Sequence, residues 1–198
     1  MIWGVLALVA GFGVVASAFY FARDCPSGPR RVVLLGDSLV GGPALPEALR
    51  ARLAARSAVW AHSYQGQSAA VVAGHLDDAL RHETVSDLII LAGVNDLANG
   101  AAPEGVAQAL SALVHATEAR GVRVRLVQIP PWAGHSRYNA QGTALVNSWI
   151  AQSRGVTLES MGAAGRLAGA YDGGDGLHLN AQGQARLAQI IAQQAFCR

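Results

Sequence analysis

The sequence predicts a three-layer α/β/α domain of flavodoxin-like topology, with a five-stranded parallel sheet and an N-terminal transmembrane helix. Three observations carry that expectation. Short runs of Val, Ile and Leu alternate with longer helical patterns from residue 31 to 196. These runs show little polar alternation, as expected of strands covered on both faces. The chain has 198 residues, enough for one such domain with a full core.

The elements follow in order. Residues 2–22 carry no charge. As a helix they would span about 31 Å, close to the thickness of a bilayer core. Trp3 lies near one end, and Phe19, Tyr20 and Phe21 near the other, as interfacial aromatics do. Residues 1–22 are therefore expected to be a signal-anchor or a signal peptide. The length of the run and the lack of a basic stretch before it favour the anchor; Ala16-Ser17-Ala18 would be the cleavage site of a signal peptide. Residues 23–30, with Asp24-Cys25-Pro26-Ser27-Gly28-Pro29, form a linker with turn chemistry. The domain is expected over 31–198.

Strands are expected at 31–35, 57–62, 86–92, 122–129 and, more briefly, 155–158. Helices are expected at 46–56, 69–82, 103–120, 138–153 and 180–196. Pro46 and Pro103 suit first-turn positions, Asn180 an N-cap and Gly121 a helix stop.

Composition narrows the function. The chain is 52% hydrophobic and 14% charged, with a net charge of +2 and no basic run, so no nucleic-acid footprint is present. Every basic residue apart from histidine is arginine, which reads as a compositional habit. The only cysteines, Cys25 and Cys197, bracket the domain, and an oxidising compartment would let them join its ends. Arg23, Arg30 and Arg31 follow the apolar segment, and by the positive-inside rule they would hold the domain in the cytoplasm. On the cysteines, the expectation is a membrane-anchored domain outside the cytoplasm, periplasmic or at the cell surface, and secreted if cleaved after Ala18.

The chemistry is concentrated where strands end. Gly36-Asp37-Ser38-Leu39 closes the first strand and places a hydroxyl at the sheet edge where open α/β sheets bind ligands. A serine there is a candidate nucleophile if a base and an oxyanion hole accompany it. Asp175 and His178 stand three residues apart before the last helix, a spacing that lets a carboxylate orient an imidazole. Gly93-Val94-Asn95-Asp96 follows the third strand, and the Asn95 amide could donate to a developing oxyanion. Gly66 follows the second strand and lets its N–H approach a substrate closely. Together these supply nucleophile, base, orienter and donors for acyl transfer.

In these blocks the chain resembles the SGNH hydrolases, also called the GDSL esterase/lipase superfamily. The matches are Gly36-Asp37-Ser38-Leu39, Gly66, Gly93-Val94-Asn95-Asp96 and Asp175-Gly176-Leu177-His178, in the family's order over residues 31–196. The resemblance implies that Ser38 attacks an ester carbonyl, that His178 is the general base and that Asp175 orients it. It implies an oxyanion hole of the Ser38 and Gly66 N–H groups with the Asn95 side chain, and a structural role for Asp37. One departure stands out: Ala61 lies where the family often has an Asn before the glycine.

Other residues add less. Pro130 to Arg137 reaches the same edge, as a pocket wall or as a rigid connection with a packed Trp132. His62, His75, His82 and His115 have no metal-ligand spacing and read as solvated or capped. No metal, nucleotide or other cofactor is expected. The leading expectation is a serine ester hydrolase acting through an acyl-enzyme: a carboxylesterase, a lysophospholipase- or thioesterase-like enzyme, or a carbohydrate O-acetylesterase. Its partners would be a small ester, a lipid or an acetylated glycan, with the membrane engaged through residues 2–22. The alternatives are an O-acyltransferase on the same residues and a membrane-tethered, non-enzymatic binding module.

Overall fold

The computed structural model describes residues 28–82, 84–132, 137–153, 155–163 and 166–197. The apolar segment 2–22 and Cys25 lie outside these residues. Among the described residues no helix is long and apolar enough to cross a membrane.

Four parallel strands form the sheet: β1 (Arg31–Gly36), β2 (Ala58–Ser63), β3 (Asp87–Leu91) and β4 (Arg123–Leu126). Their order is β2-β1-β3-β4. The chain therefore winds outward in both directions from β1, and the order reverses between β1 and β3. At such a reversal the connections leave toward opposite sides, and a crevice opens at the carboxyl ends of the strands. Val32 to Leu35 and Leu88 to Leu91 are buried, as continuous apolar runs require. Each such side chain contributes about 1.5–3 kcal/mol by leaving water.

The helices are α1 (Ala44–Arg50), α2 (Ala69–Gly74), α3 (Leu76–Ala79), α4 (Val94–Ala98), α5 (Pro103–Glu118), α6 (Ala140–Gln152) and α7 (Ala181–Ile191). Helix α1 packs on α7, while α5 packs on α2 and α6. Pro103 opens α5, and Asn180 caps α7 by accepting from the Gly183 N–H at 2.8 Å. A two-residue antiparallel ladder pairs Gly162–Ala163 with Arg166–Leu167.

Three expectations need correction. The helix expected at 46–56 ends at Arg50. The fifth strand at 155–158 shrinks to a single parallel bridge between Val127 and Val156. Beyond Val156 the backbone is claimed by side chains: Gln194 accepts from the Thr157 N–H at 2.8 Å, and Gln128 accepts from the Leu158 N–H at 2.8 Å. The helix expected at 69–82 breaks at His75, whose backbone (φ −97°, ψ 10°) ends α2 and begins α3. Its ring stacks on Tyr64 with centroids 3.8 Å apart.

The amino end of the sheet is tied by one carboxylate. Asp87 is buried, accepts from Arg30 at 3.2 Å and from Arg123 at 2.8 Å and 3.1 Å, and takes the Ser86 hydroxyl at 2.7 Å. Burial favours the neutral acid, but the Arg123 and Ser86 hydrogen bonds and the two guanidinium charges outweigh it and lower the pKa. The Arg30 guanidinium also lies over the buried Phe196 ring, 4.9 Å from its centroid. Removing one member of a buried pair strands the others. Asp87→Ala should therefore destabilise the protein by about 3 kcal/mol in urea unfolding; a change below about 0.5 kcal/mol would show that the cluster is only a surface ion pair.

Candidate active site

Two neighbours shape the turn that carries Ser38. A Cβ at Gly36 would lie 2.0 Å from the Leu91 carbonyl oxygen, so only glycine lets β1 run this close to β3. The next amide, of Asp37, donates to that same oxygen at 3.2 Å. Asp37 then caps the single 3-10 turn Ser38–Val40, its Oδ1 accepting from the Leu39 N–H at 3.0 Å. The strand thus ends abruptly, and Ser38 stands half-buried above it.

The base comes from the far end of the chain. Asp172 accepts from the Gly174 and Gly176 N–H groups at 2.7 Å and 3.0 Å, and it bridges Leu179 in antiparallel fashion. The Gly173 N–H donates to the His178 carbonyl at 2.6 Å. Asn180 closes the loop, donating to the Ala170 and Asp172 carbonyls at 3.0 Å. Within it, Asp175 Oδ1 accepts the His178 and Leu177 N–H groups at 2.8 Å and 3.0 Å, and Oδ2 lies 2.5 Å from His178 Nδ1. On the other side of the ring, His178 Nε2 lies 2.8 Å from Ser38 Oγ. Ser38, His178 and Asp175 form one hydrogen-bonded chain, as their types and order lead one to expect.

The carboxylate of that chain is strongly biased toward its ionised form. Partial burial pushes the Asp175 pKa up, but the hydrogen bonds from the imidazole and from the His178 and Leu177 N–H groups prevail and bring it to about 2. At neutral pH it is a fixed acceptor, holding His178 as the tautomer with Nδ1–H and leaving the Nε2 lone pair toward Ser38.

Gly66 and Asn95 are brought together across the β2 and β3 ends. Gly66 has φ +71°, and a Cβ there would meet no atom within 4 Å, so backbone conformation and not crowding calls for glycine. The Asn95 amide donates to the Gln67 carbonyl at 3.0 Å, joining the α4 turn to the turn of Gly66. Ala61 supplies no polar group to that turn, and other residues hold it. Ser63 Oγ donates to the Asp37 carbonyl at 2.9 Å, the Tyr64 N–H donates to the Gly36 carbonyl at 2.8 Å, and the Gln67 N–H donates to the Tyr64 carbonyl at 3.2 Å. Asp96, next to Asn95, accepts from the Ala69 N–H at 2.8 Å and so ties α4 to α2.

In front of Ser38 and His178 lies a cleft of about 250 Å³, walled by Leu39, Gly41, Gln65, Leu179 and Gln184. Gln184 is itself held, accepting from the Leu45 N–H at 3.1 Å and donating to the Leu179 carbonyl at 3.2 Å. No sequence spacing marks these residues as a set, because Gln65 lies in the turn after β2 and Gln184 on α7. Trp132 was ambiguous: half-buried, it donates from Nε1 to the Asp175 carbonyl at 3.2 Å and buttresses the loop of the base. Residues 133–136 lie outside the described set. Two of the remaining histidines pair with each other, His62 and His82 Nε2 atoms being 3.0 Å apart, where solvated rings were expected. Among the described residues no three His, Cys, Asp or Glu side chains are arranged to hold a metal ion.

The arrangement can deliver a serine hydroxyl stripped of its proton to an acyl carbon. The GDSL-like lipase/acylhydrolase family model matches residues 34–186. A GDSL-like lipase from Bacteroides thetaiotaomicron superposes with a TM-score of 0.69 at 16% identity, covering 91% of this chain and 92% of its own. The lipase/acylhydrolase from Enterococcus faecalis gives 0.68 at 19%, covering 83% and 94%. The psychrotrophic esterase EstA from Pseudoalteromonas sp., in a form inhibited by monoethylphosphonate, gives 0.63 at 19%, covering 84% and 96%. At these identities the superpositions establish the fold. No curated protein sequence matches the chain.

The hydrogen bonds around Asp175 can be checked directly. Its carboxyl carbon, followed by ¹³C NMR, should titrate with a midpoint of about 2; a midpoint at or above that of an ordinary aspartate would mean that the contacts to His178 and Leu177 are not made.

Proposed function

Because the chain belongs to the GDSL-like lipase/acylhydrolase family and is an ester hydrolase, we propose that it cleaves esters of small acyl groups through an acyl-enzyme on Ser38. The observation that carries this reading is the continuous chain from Ser38 Oγ through His178 to the ionised Asp175. As Ser38 Oγ bonds to the carbonyl carbon, its proton passes to His178 Nε2. Asp175 holds the opposite nitrogen and stabilises the imidazolium that results. The carbonyl oxygen, now carrying the negative charge, is received by the Ser38 and Gly66 N–H groups and the Asn95 amide. One Asn95 N–H is spent on Gln67, which aims the side chain; the other is offered to the oxyanion. Collapse of the tetrahedral intermediate breaks the ester C–O bond, and His178 returns the proton to the leaving alcohol. Water then repeats the cycle on the acyl-enzyme and frees the acid.

The cleft supports a small acyl group. Its volume is about 250 Å³, and Gln65 and Gln184 stand in its wall beside Leu39 and Leu179. Amide side chains suit an acetyl or short acyl ester better than a long alkyl chain, which gains only where it meets apolar surface. A small ester or an acetylated glycan is therefore proposed as the substrate, ahead of a long-chain lipid.

The proposed site of action is outside the cytoplasm. Cys197 is disulfide-bonded, which supports an oxidising compartment. The membrane anchor at residues 2–22 is proposed on its length and lack of charge.

A fluorophosphonate probe should label the full chain at Ser38, and Ser38→Ala should abolish both labelling and hydrolysis of p-nitrophenyl acetate. Rates on p-nitrophenyl esters should fall as the acyl chain lengthens; a rise toward long chains would reverse the substrate assignment. Asn95→Ala should raise the barrier by about 3 kcal/mol, and a loss of rate below tenfold would take Asn95 out of the oxyanion hole. For location, thiol labelling of the unfolded protein should find no free cysteine before reduction. Two free thiols in protein from its native host would remove the argument for an oxidising compartment.

A further inference from the structure

The helix that follows the nucleophile has no cap of its own. Pro43 stands at the N-cap of α1, and no side chain there takes up an N–H. The first N–H groups of a helix have no partner inside it. The N–H of Leu45, a wholly buried residue, finds one 139 residues away, donating to Gln184 Oε1 at 3.1 Å. The same amide donates from Nε2 to the carbonyl of Leu179, the residue after His178, at 3.2 Å. It also lies against the link between Ser38 and α1, where a Cβ at Gly42 would be 3.2 Å from Nε2. One half-buried side chain thus joins the element behind the nucleophile to the loop that carries the base.

We propose that Gln184 is a positioning residue for the base: it holds His178 in register with Ser38 at the stage when their own hydrogen bond is broken. This rests on the reading of Ser38 and His178 given above.

Among the described residues two hydrogen bonds join 38–50 to 168–191, that of Ser38 with His178 and that of Leu45 with Gln184. The reaction breaks the first. In the acyl-enzyme, Ser38 Oγ is bonded to the acyl carbon and its proton has left with the alcohol. Water then attacks the acyl carbon and gives a proton to His178 Nε2, and the C–Oγ bond breaks as Oγ takes that proton back. For this step Nε2 must still face the acyl carbon, although the serine hydroxyl that held it is gone.

The loop itself is closed from within by Asp172 and Asn180, so what remains to be fixed is its place opposite Ser38. Trp132 ties it to the segment after β4. On the nucleophile's side, α1 packs on α7, but apolar contact is non-directional. A hydrogen bond has a preferred length and direction. Gln184 therefore fixes the register that packing alone leaves loose.

The test follows p-nitrophenyl acetate through its two steps in wild type and in Gln184→Met, which keeps the length of the side chain and removes both hydrogen bonds. Stopped-flow release of p-nitrophenol reads acylation, and the decay of acetyl-Ser38 in quenched samples, by mass spectrometry, reads deacylation. The ratio of the deacylation rate to the acylation rate should fall about tenfold, so that acyl-enzyme accumulates in the variant. A residue that only walled the cleft would slow acylation and raise the ratio. One that only supported the fold would lower Tm and leave the ratio unchanged. Either result overturns the proposal. If Gln184→Met does not fold, wild type decides: the Leu45 amide should stay protected from hydrogen exchange after a fluorophosphonate has occupied Ser38. Loss of that protection would show that the link does not outlast the Ser38–His178 bond, and overturns the idea. Ser38→Ala separates the two readings. Full activity there removes the Ser38 mechanism itself, whereas an inactive Ser38→Ala beside an unchanged ratio in Gln184→Met removes only the role of Gln184.

Discussion

The carboxyl end of β1 runs so close to β3 that residue 36 has no room for a side chain against the Leu91 carbonyl. This contact lies between β1 and β3, where the strand order reverses, and the rest of the site is organised around it. Because Gly36 fits, the Asp37 amide can take up the Leu91 oxygen, and the chain must turn at once into the 3-10 turn that lifts Ser38. The same closeness brings the start of α4 beside the Asp37 carboxyl. On the other flank, Ser63 and Tyr64 bind the Asp37 and Gly36 carbonyls, so β2 is held to the same point. Three strand ends are thereby fixed relative to one another before any loop is considered.

Environment, not residue type, sets what each aspartate does. Asp175 receives two backbone N–H groups and an imidazole and is held ionised down to about pH 2. Asp37 receives little compensation for its burial, which pushes its pKa up to about 7. Asp87, at the opposite end of the sheet, meets two arginines and a hydroxyl and serves only to tie strands together. The amino end of the sheet spends its charges on cohesion, and the carboxyl end leaves its two aspartates unevenly satisfied. Such separation of pKa values is how acid and base roles are assigned within one site.

Much of this was legible from local patterns, because the relevant forces are local. The runs 31–35 and 86–92 are apolar throughout, and a strand buried on both faces needs nothing else to declare itself. Asp175 and His178 are three residues apart, so the contact between them is nearly built into the chain. Asn180 caps α7 and Pro103 opens α5 for reasons contained within one turn. Other features were hidden because they depend on what arrives from elsewhere. The 155–158 segment has the composition of a strand, but Gln128 and Gln194, distant in the chain, claim its amides. The pattern at 69–82 is helical throughout, yet stacking of His75 on Tyr64 accompanies a break in the middle.

By itself, then, the sequence marked four of the five expected strand runs and the order of the blocks, and it singled out Ser38, Gly66, Asn95, Asp175 and His178 as candidates, since each follows from residue type and short-range spacing. Only the tertiary structure decided that 140 residues of separation close to 2.8 Å between Ser38 and His178. It alone decided that, among the described residues, the sheet has four strands, Trp132 braces the loop of the base and Asp37 is buried without a hydrogen-bond partner for Oδ2. The physical reason is common to all of these. Burial and electrostatic environment are properties of the packed interior, and a residue acquires them only from neighbours that the chain brings in from far away.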